Sequence, residues 1–137
     1  MPIDAVVADA NVLLSAVVGK AASRVFAEHD VIVHVAEFNA LEVEAYIPLM
    51  AAKYGLPSEL ASLSWRLLPL RIHPLEDYRR QMKRAVADLS RRDPEDAHAL
   101  ALARTLRLSL WSNDRDLTIP GVKCYTTAVL LKLLEGR

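Results

Sequence analysis

The chain has little of what small exported or cofactor-bound proteins are built around. Of its 137 residues one is a cysteine, Cys124, so no internal disulfide can form, and a lone thiol in an apolar context fits a reducing cytoplasm. No apolar stretch reaches the roughly 18 residues that cross a bilayer, so no membrane association is expected. The N-terminus carries no basic segment leading into an apolar core and cleavage site, so no export is expected either. Aromatic residues make up 6% and glycines number four. That leaves few stacking partners for nucleic-acid bases, and no glycine loop cradles a phosphate. There is no excess charge of either sign: 17 Lys and Arg balance 17 Asp and Glu, so any nucleic-acid contact must come from a local cluster. The histidines, His29, His34, His73 and His98, show no zinc spacing with Cys124. Neither a hydrolytic triad nor a nucleophile elbow is evident.

What is present is an alternation. Strand-like apolar runs occur at Ala5–Ala8, Val31–Val35, Leu70–His73, Leu108–Trp111 and Val122–Tyr125. Segments of helical spacing lie between most of them: Asn11–Val18, Glu37–Tyr54, Ser58–Leu67, Leu75–Leu89, Pro94–Leu106 and Thr127–Leu134. Pro48 is expected to kink or break the second of these. With no repeat or linker in residues 1–137, the pattern predicts one α/β domain with a parallel sheet covered on both faces. In such a sheet, ligands bind beyond the carboxyl ends of the strands.

Acids cluster at those ends. Asp9 closes the first strand, where an aspartate can also cap the next helix, and Asn11 supports the loop. Glu42 falls in the stripe Phe38, Leu41, Ala45, Leu49, where a carboxylate would lose hydration and need compensation. Asp93-Pro94 reads as an N-cap and first helical position, while Asp96 shares a stripe with Leu100 and Ala103 and should face the sheet. Asp114 and Asp116 follow the fourth strand, with Ser112 and Asn113 placed to fix that loop or orient a water. His98, two residues past Asp96, is expected at the surface.

If Asp9, Glu42, Asp96 and Asp114 converge, their mutual repulsion calls for a hard divalent cation such as Mg²⁺ or Mn²⁺. Asp9, Asp96 and Asp114 are the expected ligands, with Asn11, Asp93, Ser112, Asn113 and Asp116 supporting them. Such a centre suits phosphodiester hydrolysis by an activated water. On the helix after the third strand, Arg80, Arg84 and Arg91 share a stripe that could grip phosphates. Apolar residues spread over a wide arc of Ala45–Leu67 (Ile47, Leu49, Met50, Leu56, Leu60, Leu63, Trp65) predict a twofold homodimer.

The motifs "VVADANVLLSAV", "AEFNALEVE", "DPEDAHALALA" and "LWSNDRDL", in this order, resemble the PIN-domain nucleases, and the match runs from Val6 to about Leu134. The resemblance implies a three-layer α/β/α sandwich and Mg²⁺- or Mn²⁺-dependent cleavage of single-stranded RNA. Its acidic quartet maps onto Asp9, Glu42, Asp96 and Asp114. Many small relatives are VapC-type toxins, which form dimers and are held inactive by an antitoxin. The long helical region Tyr46–Tyr78 resembles another prokaryotic branch, and Ser112 stands where threonine is common. The alternatives are a PIN nuclease of RNA processing without toxicity, and a non-catalytic interaction module whose acids only cap helices. An aspartyl-phosphate enzyme is disfavoured, because Asn11 stands where a second acid would be needed.

Overall fold

A computed structural model describes residues 3–89, 96–114 and 119–136. Five strands form one parallel sheet: β1 (Ala5–Ala8), β2 (Ile32–Ala36), β3 (Leu70–His73), β4 (Ser109–Trp111) and β5 (Cys124–Tyr125), in the order β3-β2-β1-β4-β5. The helices are α1 (Ala10–Val17), α2 (Ser23–Glu28), α3 (Glu37–Lys53), α4 (Ser58–Leu67), α5 (Arg79–Asp88), α6 (Asp96–Leu106) and α7 (Thr127–Glu135). The result is the expected α/β/α sandwich.

Side-chain alternation along β1 sorts the layers. Val6 and Ala8 pack with α1 to α4 and α7, whereas Val7 points to the opposite face and packs with α5 and α6. Both faces of the central strand are therefore buried, which is why it reads as an unbroken apolar run. β1 is flanked by β2 at the register Val7↔His34 and by β4 at Ala8↔Trp111. The chain leaves β1 for β2 over one face and reaches β4 from β3 over the other. The crevice beyond β1 and β4 is thus a topological switch point.

Several expectations change. α3 runs unbroken through Pro48. Glu44, whose carbonyl the proline leaves without an amide partner, lies on the exposed side of the helix with Pro48, where water can replace the lost bond. The predicted stripe of α3 is not its buried face: Asn39, Ala40, Val43, Ile47 and Ala51 are buried, while Leu41 and Leu49 are exposed. The segment Leu75–Leu89 divides into a 3₁₀ turn at Leu75–Asp77 and α5, because Pro74 and Leu75 carbonyls take i→i+3 bonds from Asp77 and Tyr78. The six-residue helix α2 was not expected. Among the described residues no helix is long and apolar enough to cross a membrane.

Candidate active site

Asp9 sits where β1 ends and α1 begins. Its backbone is extended, and its Oδ1 accepts the Val12 amide at 3.0 Å, so it is indeed an N-cap. Capping engages one oxygen only. The same carboxylate accepts a hydrogen bond from the Ser112 hydroxyl, and its backbone amide donates to the Trp111 carbonyl at 3.2 Å. Asp9 retains an open edge, yet lost hydration is the largest influence on it and raises its pKa. The hydrogen bonds from Ser112, Val12 and Asn11 pull the other way, and the charge of Asp114 adds to the rise.

Ser112 is buried and works in two directions. It donates to Asp9, and its Oγ accepts the Asp114 amide at 3.2 Å. Asn113 ties the same loop to α7, its Oδ1 accepting the Thr127 amide at 2.7 Å. Beneath it, the Trp111 indole donates to the Thr127 hydroxyl at 2.9 Å.

Two hollows meet at this point. A crevice of about 340 Å³ is lined by Asp9, Asn11, Asn39, Glu42 and Asp96, with Tyr46 and Met50 on its wall. A smaller one of about 70 Å³ is lined by Asp9, Asn11, Asp96, Ser112 and Asp114. Asp9, Asn11 and Asp96 border both, with Glu42 on one side and Asp114 on the other. The four acids chosen from the sequence thus share one neighbourhood. Among the described residues, however, no three His, Cys, Asp or Glu side chains stand close enough to grip a metal ion by themselves. Mg²⁺ typically keeps several waters and needs one or two carboxylates, so the all-oxygen donor set and the charge-disfavouring burial of Asp9 still fit a hard cation. Asp93, Asp116 and Arg91 lie outside the described residues.

Sequence reasoning missed Asn39. It is 3% exposed, its amide donates to Glu42 at 2.8 Å, and its Oδ1 has no partner among the described residues. A carboxylate can only accept, so the Glu42 bond fixes which end of the amide is which. A polar side chain three residues before Glu42, amid apolar neighbours, was the available signal.

His98 was misplaced as a surface residue. Its ring stacks on Phe38 (centroids 4.0 Å apart, planes 8° from parallel), and its Nδ1 lies 2.7 Å from the hydroxyl of buried Tyr78. The contact braces the start of α6, with Asp96, against the start of α3, with Asn39 and Glu42. Desolvation pushes the Tyr78 phenol up to about 12. Arg80 and Arg84 are exposed and line neither acidic hollow.

The PIN domain family model matches residues 7–135. No curated protein matches the chain. Among solved structures, a toxin–antitoxin complex from Klebsiella pneumoniae contains a similar chain (TM-score 0.62, 18% identity), covering 89% of this chain and 97% of that one. The sarcin-ricin loop cleaving toxin VapC20 of Mycobacterium tuberculosis is similar over 81% of this chain and 91% of its own, with TM-score 0.56 and 19% identity. At these identities the likeness is one of fold.

Proposed function

The chain belongs to the PIN-domain family, and on that premise we propose that it is a Mg²⁺- or Mn²⁺-dependent endoribonuclease acting on single-stranded RNA in the cytoplasm. The observation that carries this reading is the sharing of Asp9 and Asp96 by two adjoining hollows, with Glu42 and Asp114 completing the acidic rim. Asp9, Asp96 and Asp114 would hold the cation. When bound, it lowers the pKa of a water and offsets charge developing at phosphate. Glu42, held by Asn39, takes a proton from the attacking water, and Ser112 keeps Asp9 and the Asp114 loop in register. Asn11 lines both hollows and stands ready to orient substrate. The stripe Arg80, Arg84 and Arg91 would grip the RNA backbone; Arg80 and Arg84 are exposed and stand outside both acidic hollows. The decisive experiment is RNA digestion with and without chelator beside the isosteric Asp9→Asn variant. Cleavage that survives both would sink the assignment.

The toxin half of a toxin–antitoxin pair is the biological role we favour, since the similar Klebsiella chain comes from such a complex. The cognate antitoxin would be a separate protein. A homodimer is proposed through α3 and α4. Leu49 (65% exposed), Leu60, Leu63 and Leu67 (72% exposed) form an uncovered apolar face there, whereas Ile47 and Trp65 are buried in the protomer's own core. A sedimentation measurement giving a monomer at micromolar concentration would count against it.

The rival reading, acids that only cap helices, is favoured by the Asp9–Val12 bond. It predicts that millimolar Mg²⁺ leaves the melting temperature unchanged. A cation bound only by the folded state raises it by mass action.

A further inference from the structure

At the end of α6 farthest from Asp96, about 16 Å away at 1.5 Å per residue, cations gather beside Glu76, Asp77 and Asp88. Two hollows of about 480 and 320 Å³ lie there, and Arg104 and Arg107 line both. Arg80 borders the first, together with Glu76 and Asp77, and Lys123 borders the second.

Two features of this place are costly to keep. The Arg104 side chain is only 8% exposed; its Nη2 pairs with Asp88 and reaches the Pro120 carbonyl at 3.4 Å. Its Nη1 is buried without a partner among the described residues. A buried N–H left unmatched costs roughly 1–3 kcal/mol, more for a charged group. That donor lies where the side chain borders both hollows, so an acceptor entering either could match it.

The second feature is Arg107. α6 ends in a Schellman motif: the Leu108 amide bonds the Ala103 carbonyl, and the Arg107 amide bonds the Arg104 carbonyl. The residue in the middle of that turn adopts the left-handed conformation, and glycine is usual there. Here it is an arginine with φ 58°, a conformation that a Cβ penalises. A cation near a helix C-terminus is favoured by the dipole, but one placed a turn earlier would gain the same without the strained backbone. The turn thus sets the Arg107 side chain at the border of both hollows, at the cost of a conformation glycine would take more easily.

We infer that Arg104, Arg107 and Lys123, with Arg80 beside them, form a phosphate-binding site at the amino-terminal edge of β4 and β5, remote from the acidic crevice. Guanidinium forks match phosphate oxygens, and such charge-assisted bonds are the strong ones. Glu76 and Asp77 border the hollow that Arg80 shares with Arg104 and Arg107, whereas among the described residues no acid lines the one shared with Lys123, which favours Arg104, Arg107 and Lys123 as the principal contacts. The phosphate comes either from an RNA backbone or from a free phosphorylated small molecule.

The test uses full-length Asp9→Asn protein with chelator, so that nothing is cleaved, and compares it with the same protein also carrying Arg107→Gly. Inorganic phosphate is titrated while the amide resonances of Ala103, Arg107, Leu108 and Lys123 are followed. A saturable response is expected, and Arg107→Gly should weaken it by about tenfold, the worth of one charge-assisted contact. Its melting temperature should be equal or higher, because glycine relieves the turn. A short single-stranded RNA separates the sources. If RNA affinity falls with Arg107→Gly, and its salt slope by about one unit, the site takes nucleic-acid phosphate. If phosphate binding weakens while RNA binding does not change, the site serves a small phosphorylated ligand. No saturable phosphate response, or an unchanged one in Arg107→Gly, overturns the proposal. Because no step needs metal or cleavage, the result stands apart from the fate of the ribonuclease reading.

Discussion

The two ends of α6 hold opposite charges, and each tolerates a different kind of cost. At the Asp96 end the cost is electrostatic: Asp9 is desolvated and feels the charge of Asp114, which disfavours its ionised form. At the Arg107 end the cost lies in a strained backbone and an unmatched guanidinium N–H. The first is relieved by any small cation and requires nothing of the chain's geometry. An acceptor of the right shape would satisfy the unmatched N–H of the second, while the backbone strain would remain. The two ends thus carry different kinds of cost, one in the local field and one in the conformation of the chain.

The largest way to sharpen the contrast is catalytic. Asp9→Asn should lower RNA turnover by about 10²–10⁴-fold, the range a positioned ionisable group commands, whereas Arg107→Gly should leave turnover at saturating RNA within a few-fold. Single-turnover kinetics on both variants checks this, and equal losses would erase the distinction. Next is the brace at the start of α6. Tyr78→Phe removes the hydroxyl from His98 and should cost about 1 kcal/mol in urea unfolding. In the unmodified protein, spectrophotometric titration should find one phenol that stays protonated until about pH 12.

A smaller effect tests the electrostatic end directly. The folded-state pKa of Asp9 is raised, so its charged form destabilises the metal-free fold at neutral pH. Asp9→Asn should therefore raise the melting temperature at pH 7. The gain should shrink as pH falls through the folded pKa and vanish below the unfolded value of about 3.9. A variant less stable than the parent at pH 7 would mean that the Val12 cap outweighs the charge.

The smallest effect belongs to neither end. His34 Nδ1 lies 2.8 Å from His73 Nε2 across β2 and β3, and His73 Nδ1 is 3.2 Å from Asp77. Desolvation, then the charges of His73 and Arg71, lower the His34 pKa. The folded state thus binds fewer protons than the unfolded one, and stability should decline as pH falls through about 6.5. His34→Gln should flatten that decline in melts from pH 8 to 5; an unaltered slope would assign it elsewhere.

How much of this was legible in the sequence differs between the same two ends. The strands β1 and β3 and the helix α4 fell where periodicity placed them, and Asp9, Asp96 and Asp114 could be singled out as neighbours because strand ends and helix starts are local features. Glu42 was chosen on a mistaken stripe: α3 buries Val43 and Ile47 instead of Leu41 and Leu49. It still borders the crevice, beside Asn39, which donates to it from one turn earlier on the same helix. His98 was missed because its partners, Phe38 and Tyr78, come from distant segments. Arg107 was invisible for a further reason. The end of α6 at Leu106 was expected, but an arginine gives no sign that it will fill the left-handed position glycine usually takes.

The hydrogen bonds at Thr127 have a mechanical reading. Its amide is held by Asn113 and its hydroxyl by Trp111, so the first turn of α7 is fastened to the loop that carries Asp114. At its far end α7 is pinned to α2 through Glu135 and Arg24, 2.9 Å apart, while Val129 and Leu133 face outward. The loop that carries Asp114 is thus anchored to α7 and, through α7, to α2 in the same layer of the sandwich.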